Sequence, residues 1–515
     1  MTALLRRASL GLAAAALASC AVGPDYHTPH VRVPDQYAAV PTGAAGARGT
    51  GSAAASVDLA NWWHALDDVE LDSLIERAVR ANPSVLIALD RLQAARTYEV
   101  GLVGTALPFT DASAAWGTGT GHDESRGRAS DALTASDTTR GLNSVTAVGG
   151  FDAYWELDVF GKIRREIEQA RYNAQAAAAA RNAVLVSVVA DVARAYVDLR
   201  GLQMRDSVLR AAVDVLQQSL RIVSLRYQRG ITNELDVTLA ERELAEFQAQ
   251  IAPVEAQIKS GEYTIATLLG QYPEDLLSEL APPQMLPAVP AMVATGLPVD
   301  LLRRRPDIQQ AERELASANA RIGVAVANLF PQFVVTGAVG FQRATLGTAD
   351  VGQHIWSVGP GAIWPLLDFG QLDAEVQVAT LQTRARLTSY KALIQSAVQQ
   401  VDSDVDAFSA AQASFKSLGD ALVASQRAVT LANARYDRGL TDYLNVVDAE
   451  REEYAIQEEY VATQTAVDDR FVSLYRDLGG GWQSFQKVPG IVRPLPAVIA
   501  IFRDTLARSD ALQDP

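Results

Sequence analysis

Arg226-Tyr227-Gln228-Arg229-Gly230 returns 209 residues later as Arg435-Tyr436-Asp437-Arg438-Gly439. Leu157-Asp158-Val159-Phe160-Gly161 returns at the same offset as Leu366-Leu367-Asp368-Phe369-Gly370. Two proline positions, Asn82-Pro83 with Arg305-Pro306 and Leu107-Pro108 with Phe330-Pro331, are offset by 223 instead. The chain is therefore two copies of one unit, and fourteen extra residues lie in the first copy within the polar stretch from Gly121 to Leu142. Each copy reads as helix, strand, loop, strand, long helix, tight turn, helix. The organisation follows: residues 1–19 an export signal, 20–66 an N-terminal segment, 67–270 the first repeat, 271–297 a linker, 298–478 the second repeat and 479–515 a tail.

Two segments set the length of the molecule. Lys162 to Gln228 and Gln371 to Asp437 contain no proline and few glycines, and as helices each reaches about 100 Å at ~1.5 Å per residue. The second carries a continuous 3-4 spacing through Leu387, Tyr390, Ile394, Ala397, Val401, Asp404, Phe408, Ala411, Phe415, Leu418, Leu422, Ser425, Val429, Ala432 and Tyr436. That is a coiled-coil seam with two polar breaks. The first shows the same seam through Leu199, Leu202, Leu209, Val213, Leu216, Leu220, Val223 and Tyr227, after an alanine-rich half that lets neighbouring helices approach closely.

Composition excludes several functions. The 515 residues are 49% apolar and 20% charged, with a formal charge of −15, so the chain folds around a large core and lacks the basic stripe that nucleic acid requires. The five histidines, His27, His30, His64, His122 and His354, are mostly scattered, which gives little support to a metal site or a histidine-based triad. Gly117, Gly119 and Gly121 alternate at a spacing that suits a strand, not a phosphate cradle before a helix. No nucleophile with a base and no cofactor motif stands out, so the sequence predicts no enzyme and no cofactor.

The N-terminus predicts an address. Arg6 and Arg7 precede an apolar run from Leu10 to Ala18, then Ser19 and Cys20, the only cysteine. This resembles a bacterial lipobox, in which Cys20 receives a covalent lipid and becomes the mature N-terminus; the competing reading is an ordinary secretory signal with a leftover thiol. Ala21 stands where an inner-membrane retention aspartate would sit, which predicts sorting to the outer membrane. No later run of eighteen apolar residues is visible, so a bilayer crossing has to be a closed barrel. Strands are expected at Phe151 to Val159, at Phe333 to Phe341, and less regularly at Leu107 to Gly121 and Ile355 to Leu367, where Pro360 argues against a strand. The fold class is thus a mixed α and β membrane protein, long coiled-coil helices joined to strands of a transmembrane β-barrel and built from a two-fold repeat. Four strands cannot close a barrel alone; composition does not choose between two protomers and three.

With Cys20-Ala-Val-Gly-Pro-Asp-Tyr26, the two Arg-Tyr-x-x-Gly turns, Leu235-Asp236-Val237 and Leu444-Asn445-Val446, Arg305-Pro306-Asp307 and the repeat in view, the chain resembles the outer-membrane efflux protein family of the TolC/OprM type, in its lipoprotein branch. The resemblance covers nearly the whole mature chain. It implies a homotrimer with a twelve-stranded barrel in the outer-membrane lipid and a helical tube in the periplasm. The implied partners are a periplasmic membrane-fusion adaptor and an inner-membrane efflux transporter. It makes Arg229, Gly230, Arg438 and Gly439 candidate adaptor contacts, although the same residues also suit helix C-caps. It places Leu444 and Asp448 on the lumen at the closed end, Asp448 as a ring of three carboxylates and Leu444 as an apolar constriction. Asn445 stands where some relatives carry another aspartate, and Asp236 and Tyr436 are candidate latch partners. The bland alternative is that these are solvated or core residues of the tip. For the whole molecule the alternative is a trimeric coiled-coil envelope spacer or adhesin without a conducting lumen.

Overall fold

The computed structural model describes residues 21–39, 58–120, 143–287, 289–290, 298–346 and 349–485. Cys20, the export signal, the whole 121–142 stretch and the tail beyond 485 lie outside the described residues. In chain order the main elements are α1 (Val69–Ala81), α2 (Pro83–Thr105), β1 (Phe109–Thr120), β2 (Asn143–Leu157), α3 (Lys162–Gln228), α4 (Glu234–Leu268), α5 (Pro306–Ala327), β3 (Gln332–Leu346), β4 (Ala349–Ile363), α6 (Gln371–Asp437) and α7 (Leu444–Asp477). Asn82 separates α1 from α2: its side chain accepts from the N–H groups of Ser84 and Val85, and Pro83 occupies the first turn, where its missing N–H costs nothing.

Both long helices span 67 residues, with the bounds the sequence gives. Along α6 the buried residues Tyr390, Ile394, Ala397, Val401, Phe408, Ser425 and Tyr436 fall on the seam, including the polar break at Ser425, and Ala379 is buried ahead of its first position. On α3 the seam holds through Val223 and fails at Tyr227, which is 43% exposed.

The repeat carries through to the strand register, although not to every backbone angle: Phe369 is left-handed and its counterpart Phe160 is not. β1 pairs with β2 with Phe109 opposite Tyr154; moving those residues forward by 223 and 209 gives Gln332 opposite Ile363, the register of β3 with β4. The indole Nε1 of Trp155 donates to the carbonyl of Ala106 at 3.1 Å, and Trp364, shifted by 209, donates to Leu329, shifted by 223, at 3.1 Å. Glycines with positive φ repeat at 161 and 370, 230 and 439, and 270 and 479. The sequence reading found the first two pairs and missed the third. That third pair ends α4 and α7 where there is no room for a side chain: a Cβ on Gly270 would lie 2.6 Å from the Ala81 carbonyl oxygen, and one on Gly479 2.9 Å from that of Arg304.

The four strands form one antiparallel sheet in the order β1-β2-β3-β4. One face carries Trp116, Phe151, Trp155, Val339, Phe341, Trp356 and Val358, all exposed in the protomer. The other carries Asp111, Asp152, Glu156, Thr336, Gln342 and Ser357, with Phe109, Tyr154 and Ile363 at its helix-side end. This is the alternation a lipid-facing sheet requires. Strand bounds differ from expectation, and β3 runs on past Phe341 to Leu346. β2 begins at Asn143, well before Phe151, and stops at Leu157, because the Asp158 carboxylate accepts from the N–H groups of Ile163 and Arg164 and turns the chain into α3. β4 is regular from Ala349 to Ile363 and ends before Leu367. Pro360 lies within β4 all the same, opposite Val335 of β3, on the strand that ends the protomer's sheet.

The core sits where the two repeats meet, halfway down the helices. Trp62 stacks on Tyr475 at 5.7 Å, and Leu71, Leu74, Leu185, Val189, Tyr196, Leu199 and Phe471 surround them. One segment of α3 is, by length and composition, apolar enough to cross a bilayer, which the sequence reading did not anticipate. Its residues Leu185, Val186, Val188, Val189, Ala190, Val192 and Ala193 are buried in this cluster, so the segment is core and not a span. Inside the core, Arg200 is fully buried and held at both ends of its fork: Nη2 donates to Glu70 at 2.6 Å, and Nη1 donates to Gln203 at 2.6 Å and to the Pro282 carbonyl at 2.9 Å, while Nε is buried without a partner. The N-terminal segment straps the upper helices together. Arg165 bonds Asp25 at 2.7 Å, Tyr26 donates to Glu312 at 2.6 Å, and Gly23 packs directly on Gly323.

Candidate functional site

The far ends of α3 and α6 turn into α4 and α7 through matching motifs. Gly230 N–H donates to the Tyr227 carbonyl at 2.8 Å and Ile231 N–H to that of Arg226 at 2.9 Å; Gly439 and Leu440 donate to Tyr436 and Arg435, both at 2.9 Å. These are Schellman caps, which need a left-handed residue at the glycine, and the glycines have φ of 68° and 69°. Arg229, Gly230, Arg438 and Gly439 are all exposed at this end. Such caps commonly bury the apolar residue after the glycine. Here Ile231 is 62% and Leu440 64% exposed, so both turns present an apolar side chain beside an arginine.

The start of α7 has two faces. Tyr443, Val446 and Val447 are buried against Val223, Ala240 and Tyr436, whereas Leu444, Asn445 and Asp448 are exposed. Leu444 and Asp448 therefore project together, as their four-residue spacing predicts. Asn445 is held locally, its Nδ2 donating to Thr441 Oγ1 at 2.7 Å. Asp236, half-buried in the first turn of α4, accepts from the hydroxyl of Thr232, and its N–H donates to the helix cap Asn233 at 3.0 Å.

Tyr436 is buried, and the structure brings it to Arg226 and Tyr443, with no hydrogen bond to Asp236. The Arg226 guanidinium lies 4.3 Å from the Tyr436 ring centroid, Nη2 is 3.4 Å from the Tyr436 carbonyl oxygen, and Nη1 is 3.4 Å from Asp437. The Tyr436 hydroxyl is buried without a hydrogen-bond partner, and burial pushes its pKa up. Tyr443 lies 5.3 Å from Tyr436, ring to ring, and its hydroxyl shares a 2.9 Å hydrogen bond with Ser219 of α3; burial pushes its pKa up to about 12. Arg226 and Ser219 thus bind the second repeat's turn to the first repeat's long helix. The sequence reading quoted Arg226 as part of the motif and gave it no role; its recurrence beside the turn tyrosine was the available signal.

Further along, Arg451 of α7 pairs with the buried Glu243 of α4, and a cavity of about 240 Å³ opens between the two helix pairs. Leu216, Phe247, Glu450 and Tyr454 line it. Burial pushes the Glu450 carboxyl up to about 7.

A sheet with one apolar and one polar face, carried on long helices that end in paired exposed turns, defines an outer-membrane channel subunit. Residues 74–271 and 297–480 match the outer membrane efflux protein family, and the chain belongs to it. It is 32% identical to the solvent efflux pump outer membrane protein SrpC of Pseudomonas putida over 91% of this chain and 97% of that protein. It is 29% identical to nodulation protein T of Rhizobium leguminosarum bv. viciae, over 90% and 92% respectively. The solved structure of the outer-membrane channel OprN superposes with a TM-score of 0.78 at 32% identity, over 90% of this chain and all of that one.

Proposed function

We propose that three copies of this chain form the exit duct of a tripartite efflux pump, passing small molecules handed on by an inner-membrane transporter and a periplasmic adaptor. The observation that carries this reading is the four-stranded sheet whose apolar face is unsatisfied in water and whose helices run straight on from it. The duct is passive and performs no chemistry. Leu444 and Asp448 face the lumen at its far end as an apolar constriction and a carboxylate ring that draws in cations. The Arg226–Tyr436 and Ser219–Tyr443 contacts hold α6 and α7 against α3 in the closed state, and Asp236 and Asn445 stiffen the starts of their helices. The turns at Gly230 and Gly439, with Arg229, Arg438, Ile231 and Leu440, receive the adaptor. Engagement of the adaptor moves α6 and α7 outward, a shear of packed helices.

Cys20 carries the lipid in this reading. Support comes from Ala21, which follows it and packs against Gly161 at the junction of sheet and helix, where the apolar face ends. The spacer alternative is disfavoured by the alanine-rich stretch of α3, since a solid coiled coil requires large apolar residues throughout its seam.

Single-channel conductance in a planar bilayer tests the proposal. Small cation-selective currents that grow or lose selectivity in Asp448→Ala support a gated duct with its gate at Asp448. Absence of current from inserted protein in both variants would favour the spacer, and unchanged currents in the variant would move the gate elsewhere.

A further inference from the structure

The repeat that relates the two halves also fixes how one copy joins the next. Within the protomer the two halves meet at β2 and β3, where Leu157 stands opposite Phe333, Ala153 opposite Gly337 and Phe151 opposite Val339. The outer edges of β1 and β4 carry no strand among the described residues. Exposed backbone edges of this length require a partner in lipid.

We infer that β4 of one copy pairs with β1 of the next in the register given by shifting the β2–β3 pairing by the repeat offsets. This rests on the trimeric reading above. Moving β2 forward by 209 and β3 back by 223 sets Ala362 opposite the partner subunit's Ala114, Trp364 opposite the partner subunit's Ala112 and Pro360 opposite the partner subunit's Trp116. The same offsets already convert the β1–β2 register into the β3–β4 register without error.

A second constraint agrees. A one-residue slip in a two-faced sheet sends every side chain to the wrong face. The apolar face uses even-numbered positions in both β1 (Trp116) and β4 (Trp356, Val358), so even residues have to meet even residues across the new contact. The derived register does this. Slips of one residue are excluded by the faces, and slips of two by the repeat.

The loop after β4 supports the same surface. Trp364, Leu366, Leu367 and Phe369 are exposed, Phe369 to 96%, and Phe369 adopts φ 51°, which side chains other than glycine rarely take. Its counterpart Phe160 is not left in water: it stacks on Phe330 at 4.6 Å and faces Phe333 at 6.4 Å, both from the neighbouring half. Shifted by the offsets, those neighbours become Leu107 and Thr110. Phe369 therefore docks on the partner subunit's Leu107, closing the seam beside the strands as Phe160 closes it within the chain.

Oxidative cross-linking of the trimer in detergent or lipid tests the register. Residues opposite each other in an antiparallel pair have Cα atoms roughly 4.5–5.5 Å apart, within disulfide reach, and a two-residue slip moves them beyond the ~7 Å limit. Ala114→Cys with Ala362→Cys is expected to give covalent trimer, and the slipped control Ala112→Cys with Ala362→Cys only background; mass spectrometry of the linked peptides separates these bonds from any at Cys20. Native mass spectrometry under reducing conditions checks that each variant still assembles. Assembled trimers that link only in the control, or in neither variant, overturn the register and leave the trimer standing. A wild-type protein that is monomeric in lipid overturns both. Phe369→Ala is expected to lose the heat-resistant trimer band while the released monomer keeps its helical circular-dichroism signal; an unchanged band overturns the docking of Phe369.

Discussion

Arg226 of the first repeat lies with its guanidinium over the ring of Tyr436 in the second, 4.3 Å from the centroid, linking α3 to α6. A cation–π contact of this kind is worth ~0.5–1 kcal/mol at an exposed site. Arg226→Ala should therefore shift the closed–open balance about two- to fivefold toward open. Open probability in planar bilayers measures it. Tyr436→Ala should exceed that effect, because it also empties the place the ring fills beside Tyr443.

The paired glycines separate backbone strain from collision. Nothing lies within 4 Å of a Cβ built on Gly230 or Gly439, so alanine there meets only the left-handed penalty, about 1–2 kcal/mol each. Gly270→Ala and Gly479→Ala add direct overlap with a carbonyl oxygen. Thermal unfolding should show small, similar losses for the first two and failure of assembly, or a much larger loss, for the second two.

Arg200 is a buried cation whose partners are all inside the protein. Arg200→Ala removes the cation from Glu70, which keeps Gln284, and one partner from Gln203, which keeps the Leu280 carbonyl, and should destabilise by about 3 kcal/mol, the low end for removing one member of a buried pair. Arg200→Lys should recover part of this, since an ammonium cannot serve Glu70, Gln203 and Pro282 with a planar fork. Chemical denaturation of the solubilised protein compares the three.

Acid should stabilise the helical region. Burial, with Asp469 beside it, pushes the Asp468 carboxyl up to about 8; burial and Asp198 push Asp469 up to about 7; burial and the Asp477 carboxyl push Asp404 up to about 7. Arg194, Arg470 and Arg476 oppose these shifts only in part. In the unfolded chain these groups ionise near pH ~4. The native state thus holds protons that the unfolded state releases, and stability falls as pH rises from about 4 through 7 to 8. The melting temperature should be higher at pH 5 than at pH 8.5. Asp468→Asn should flatten that slope and raise the melting temperature at pH 8.5 by a few degrees.

The long helices could be read from the sequence because their signal is cumulative: fifteen seam positions on α6 agree with one another, and a single polar residue such as Asp404 does not break them. The sheet was harder. Gly149 and Gly150 interrupt the apolar alternation of β2, so the strand looked as though it began at Phe151, yet its backbone pairs continuously to Asn143. At the tip, exposure separates Leu444 and Asp448 from Val446 and Val447 as the helical spacing suggests. The grip of Arg226 on Tyr436 joins residues 210 apart, and no local pattern announces a cation above a ring. Arg200 was hidden for the same reason: it follows Leu199 on a seam where a charge looks like the solvent side, and only the fold supplies Glu70 and Pro282.

The two copies of the turn tyrosine have parted in one respect. Tyr436 is 7% exposed and gripped, while Tyr227, its counterpart, is 43% exposed. The second turn is thus fastened within one chain, whereas whatever covers the first must come from outside it; in the proposed duct the two corners of one protomer answer to different neighbours, one its own first half and the other the next copy.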